Sequence, residues 1–98
     1  MSYRFLAPAL VELQEAAAYY DSQIAGLGAD FIFEAESAIL RILRFPGAWG
    51  RISNDFRHCN LRRFPYTIIY TTDDAGGILL VSLFHQSREP LSWRRNLL

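Results

Sequence analysis

The residues that could carry chemistry gather in the second half of the chain. His58, His85, the single cysteine Cys59 and nine arginines all lie between residues 41 and 98. His58 and Cys59 are neighbours in RHCNLRRF, where alternation reads as a strand and turns adjacent side chains to opposite faces. That argues against a Cys–His nucleophile pair and makes Cys59 a small core residue. Two histidines and one cysteine would need carboxylates to complete a zinc site. The chain has no GxSxG, no P-loop, no HExxH and no CxxC. No metal and no cofactor are expected.

The arginines point elsewhere. Alternation along RHCNLRRF puts Arg57 and Arg63 on one face with Cys59 and Leu61, and Arg62 on the other. Arg88 follows the apolar run ILLVSLF, and Arg94 and Arg95 follow Trp93. Arg57, Arg62, Arg63, Arg88, Arg94 and Arg95 are therefore candidates for a basic surface. Such a surface would bind nucleic acid through its phosphates, or an acidic protein segment. Arg57, His85 and Arg88 are also the candidates for a partial nuclease site, with His85 as acid or base and the arginines on phosphate. Tyr66 and Tyr70 share a strand face and either stack on bases or pack beneath helices.

The elements that must position these residues follow from periodicity. SYRFLA reads as a short strand. Leu10, Leu13, Ala17, Tyr20 and Ile24 form a helical stripe behind Pro8, with Glu12, Glu15 and Asp21 off the stripe. GLG breaks that helix, and Asp30 is a candidate cap for the next. Phe31, Ala35, Ala38, Ile42 and Phe45 form the second stripe, ended by Pro46-Gly47. Tyr19, Tyr20, Phe31 and Phe33 are expected in the core or between the helices. AWGRISNDF is ambiguous. RHCNLRRF, YTIIYTT and ILLVSLF read as strands, with DDAGG as a hairpin loop. Pro90 opens a short last helix anchored by Trp93. The expectation is an α+β, two-layer fold, β-α-α-β-β-β-α, with a helical hairpin packed on a small antiparallel sheet.

Composition bounds the rest. Ninety-eight residues, 51% of them hydrophobic, suit one domain spanning residues 1–98 with one core. The chain lacks a signal-peptide pattern and has no apolar run near 20 residues, so no membrane partner is expected. One cysteine fits a reducing, cytoplasmic setting. The zero net charge hides a division. Residues 1–40 carry Arg4 against six acids, and residues 41–98 carry nine arginines against four acids. Either the basic half meets an anionic partner, or the two halves fold together and mix their charges.

RxxxLRRFPYxIIY, from Arg57 to Tyr70, and ILLVSLFHQSREPLSW, from Ile78 to Trp93, resemble the ParE/RelE toxin superfamily, specifically its ParE branch, often called plasmid stabilisation proteins. The strand, tyrosine-bearing helix, second helix and FPG that precede them fit as well. The resemblance implies the toxin of a type II toxin–antitoxin pair: a helical hairpin on an antiparallel sheet, bound and neutralised by a cognate antitoxin. ParE-like members are associated with inhibition of DNA gyrase, and RelE-like members with mRNA cleavage on the ribosome. RelE-like enzymes carry a tyrosine or histidine near the C-terminus, and SWRRNLL has neither. The resemblance therefore favours a gyrase-directed, non-nuclease toxin. A RelE-like ribosome-dependent endoribonuclease and an inactive antitoxin-binding module are the alternatives.

Overall fold

The computed structural model describes residues 2–98. Its elements are β1 (Tyr3–Phe5), α1 (Ala7–Gln23), α2 (Leu27–Arg44), β2 (Gly50–Arg51), β3 (Arg57–Asn60), β4 (Tyr66–Thr72), β5 (Ile78–His85) and a 3-10 helix (Ser92–Leu97). The five strands form one sheet in the order β1-β5-β4-β3-β2. The β2–β3, β3–β4 and β4–β5 pairs are antiparallel, whereas β1 runs parallel to β5 at the edge. The α+β architecture is as the sequence implies. Two details differ: one edge pairing is parallel, and the ambiguous AWGRISNDF segment holds a two-residue strand too short to show alternation.

The helical hairpin covers one sheet face. Phe31, Ala35, Ala38, Ile39 and Ile42 of α2 and Leu13 and Ala16 of α1 meet Cys59, Ile68, Tyr70, Ile78, Leu80 and Leu83. The α2 stripe is the expected one, except that Phe45 turns outward. On α1 the buried line is Ala9, Leu13 and Ala16, with Leu10 and Ile24 exposed. The physical reason is close approach: alanines let a helix lie nearer the sheet, and hydropathy alone does not distinguish Ala9 from Leu10. Tyr19 and Phe33, expected inside, are exposed, while Tyr20 and Phe31 are not.

The turn between the helices is built by Asp21. Its Oδ1 accepts from the backbone N–H of Gly26 (2.9 Å) and of Gly28 (3.2 Å). Gly26 adopts φ +91, a left-handed conformation that glycine takes without steric cost. α2 thus starts at Leu27, so Asp30 lies in its first turn and is not its cap. Gly28 sits against α1, where an added Cβ would come within 2.5 Å of the Ala17 carbonyl oxygen.

The opposite sheet face is covered by the chain end. Trp93 packs with Ile69 and Val81, flanked by Leu6, Phe56, Leu79 and Phe84. This explains why β5 is apolar on both faces. β5 carries a bulge: Ile69 pairs Ser82 and Tyr70 pairs Leu80, leaving Val81 without a partner. Glu12, read from sequence as lying off the α1 stripe, closes this irregularity. Its Oε1 accepts from Ser82 Oγ (2.9 Å), the Leu83 N–H (3.1 Å) and Asn96 Nδ2 (3.0 Å).

Candidate partner-binding surface

The candidate arginines fall into separate groups. β3 ends at Asn60, so Arg62 and Arg63 lie in the turn before β4 and are not on alternating strand faces as expected. Both are exposed. Arg63 makes a long ion pair with Asp30 (3.8 Å) and lies over the Phe64 ring at 5.6 Å. Arg94 lies over the Trp93 ring at 5.5 Å, and Arg95 beside it is exposed.

His85, Arg88 and Arg95 share a cleft of about 310 Å³ with Glu12, Glu15, Tyr19 and Tyr66. Tyr66 faces His85 across the β4–β5 ladder, ring centroids 5.2 Å apart and edge to face. His85 Nδ1 accepts from the Ser87 N–H at 3.0 Å, which places the ring proton on Nε2. Burial is the main cause that raises the Tyr66 pKa; neighbouring Tyr20 adds to it and Arg88 opposes it.

Arg57 stands elsewhere. It pairs with Tyr70, whereas His85 pairs with Tyr66, four positions back along β4. At about 3.3 Å per strand residue that is roughly 13 Å. Arg57 instead joins a cleft of about 490 Å³ with Pro46, Gly47, Arg51, Asn54, Asp55, Tyr70, Thr71 and Thr72. The three nuclease candidates are therefore split: His85 and Arg88 converge, and Arg57 lies at the other end of β4. Sequence reasoning did not single out Arg51, because its strand is two residues long. Tyr70, fully buried, donates to the Pro46 carbonyl at 2.6 Å, and burial pushes its pKa up to about 12 despite Arg57.

Cys59 is a core residue. Burial raises its thiol pKa, against the pull of Arg41. Among the described residues no three His, Cys, Asp or Glu side chains come together as a metal site. No helix among them is long and apolar enough to cross a membrane.

A third surface borders the basic groups. On the sheet face away from the helices, Ile52, His58, Ile69, Phe84, Pro90, Leu91 and Trp93 line a shallow groove of about 360 Å³, with Arg88 at its rim. Leu91 and Ile52 are exposed there.

A profile described as "ParE toxin of type II toxin-antitoxin system, parDE" matches residues 3–90. The chain belongs to the ParE toxin family. Among solved structures this ParE-family chain is similar to one described as "Chromosomal ParDE TA system from P. aeruginosa", with TM-score 0.75 and 16% identity, over 87% of this chain and 95% of that one. At that identity the likeness is one of fold. No curated relative matches the ParE-family chain by sequence.

Proposed function

We propose that this ParE-family toxin acts by binding DNA gyrase and is neutralised by a cognate antitoxin. The observation that carries this reading is the split between Arg57 and the His85–Arg88 cleft. Cleavage of RNA needs proton transfer and phosphate stabilisation within one substrate's reach. Here the candidate groups are spread over separate parts of the surface, an arrangement suited to recognising a large partner. Arg62, Arg63, Arg88, Arg94 and Arg95 are all exposed.

The antitoxin is read as supplying an acidic segment to these arginines and apolar side chains to the Ile69–Phe84–Trp93 groove. Such a segment would order on binding. In a supercoiling assay with purified gyrase, the folded toxin should inhibit the reaction, and the antitoxin should restore it. Full supercoiling at saturating folded toxin refutes the target.

The His85–Arg88–Tyr66 cleft is the specific observation behind a second reading, an endoribonuclease working without Arg57. Mapping of mRNA 5′ ends after induction distinguishes the two. Cleavage abolished by His85→Ala would favour the nuclease.

A further inference from the structure

Arg51 and Arg57 stand directly opposite each other in the β2–β3 ladder. Like charges in that position repel, and such pairs cost stability unless something neutralises them. No side chain does so here. The ion pairs among the described residues are Arg4–Asp73 and Arg63–Asp30, both remote from this ladder. Each guanidinium is instead held by one backbone carbonyl: Arg51 Nη1 donates to Asn54 O and Arg57 Nη1 to Trp49 O, both at 2.7 Å. Each keeps further N–H donors unspent, since guanidinium carries five.

These two side chains open on one cleft. Arg57 pairs with Tyr70 as well as with Arg51, so Tyr70, Arg57 and Arg51 form a row across β4, β3 and β2 on the face that carries the helices. The cleft between this row and the Pro46-Gly47 turn measures about 490 Å³, within the range of small-ligand pockets. Thr71 and Thr72 add hydroxyls, and Asn54 and Asp55 add an amide and a carboxylate. Tyr70 and Thr71 are already bonded to the Pro46 and Asp55 carbonyls, which fixes the wall.

We propose that Arg51 and Arg57 together form a binding site for the phosphate group of a small phosphate ester. Two adjacent forks of N–H donors match a tetrahedral oxyanion, which would bridge them and remove their repulsion. Asp55 and Asn54 line the same cleft and offer a carboxylate and an amide to hydroxyls attached to that phosphate, such as those of a sugar. The site is separate from the His85–Arg88 cleft and does not depend on the target proposed above.

The test is a titration of the isolated, folded toxin, followed by amide and arginine Nε–H NMR signals. The probes are inorganic phosphate, a nucleoside 5′-monophosphate and ribose 5-phosphate, each at constant ionic strength against chloride. Saturable shifts confined to residues around Gly47, Asn54, Arg57 and Thr71 are expected with phosphate. Tighter binding of ribose 5-phosphate than of inorganic phosphate would assign the hydroxyl contacts, and a further gain with the nucleotide would add the base. Arg51→Gln, exposed and so a mild change to the fold, should weaken binding about tenfold or more. Asp55→Asn should strengthen binding of inorganic phosphate. Absence of saturable shifts with all three probes overturns the site. So does an R51Q protein, shown folded by its own spectrum, that binds as tightly as the parent.

Discussion

Asn96 and Glu12 meet over the bulge of β5, 84 residues apart in the chain, with Asn96 Nδ2 donating to both Glu12 Oε1 and the Val81 carbonyl at 3.0 Å. The bulge interrupts the ladder, and β1 is too short to cover β5 beyond Leu80. One carboxylate oxygen therefore joins helix α1, the bulged strand and the C-terminal turn.

Removing that oxygen should loosen all three. Glu12→Ala strands the Leu83 N–H and the Ser82 hydroxyl and leaves Asn96 with only its bond to the Val81 carbonyl. Hydrogen bonds to a charged group contribute about 1.5–3 kcal/mol, so a loss of about 2–3 kcal/mol is expected. For a chain of this size that lowers Tm by roughly 10–20 °C. Glu12→Gln should lose less, because its amide oxygen still accepts. Urea unfolding of both variants checks the order. Equal stability of E12A and the parent would show that water replaces the carboxylate.

The aromatic cluster gives a matched pair. Phe31 is fully buried, with ring centroids 5.3 Å from Tyr20, 5.1 Å from Phe64 and 4.9 Å from Tyr66. Phe33, two positions on, is 65% exposed. Phe31→Ala should cost about 3–5 kcal/mol, close to the whole stability of a small domain. Phe33→Ser should change stability by no more than about 0.5 kcal/mol. Circular dichroism melts of the two variants measure the contrast.

Gly28→Ala tests the hairpin. Alanine ordinarily favours a helix interior by about 1 kcal/mol over glycine. Here its Cβ would meet the Ala17 carbonyl oxygen at 2.5 Å and Asp21 Cβ at 2.9 Å, so α1 and α2 must separate. A net loss of about 1–3 kcal/mol is expected. A gain would mean that the hairpin opens at little cost.

Tyr70 sets an alkaline limit. Its folded pKa is about 12 against an ordinary 10.0, mainly through burial. The folded state therefore holds a proton that the unfolded chain releases above pH 10. The stability this confers is complete below pH 10 and is lost as pH rises from about 10 to 12. Tyr20 and Tyr66 are raised in the same direction, and burial is the main cause for each. Tyr70→Phe should lower stability at pH 7 by about 1 kcal/mol, for the lost bond to Pro46. It should also shallow the alkaline fall. Denaturant unfolding between pH 7 and pH 12 reads both effects.

What the sequence made legible was set by where hydropathy alone decides the outcome. The α2 stripe and the strands YTIIYTT and ILLVSLF are largely buried, so hydropathy alone places them. On the α1 stripe Leu13, Ala17 and Tyr20 pack on the core as expected, while Leu10 and Ile24 turn outward because the small Ala9 and Ala16 face the sheet. Arg51 and the Arg57–His85 separation were not legible. A two-residue strand carries no period, and the spacing of two sites along β4 depends on register and on a bulge at Val81. The bonding of Glu12 was not legible because its partners are 70 to 84 residues away.

The split of the basic groups gives a test of the proposed target at the level of single residues. If the exposed arginines bind gyrase, Arg88→Glu and Arg94→Glu should each weaken inhibition, because each reverses a charge on the recognition surface. The loss should grow as salt is lowered, where charge–charge terms are least screened. His85→Ala should leave inhibition near the parental level, since a recognition surface needs no proton donor at Nε2. A nuclease predicts the reverse order, with H85A the most damaging. Dose–response curves for the three variants in one supercoiling assay, beside mRNA end mapping from the same strains, separate these outcomes.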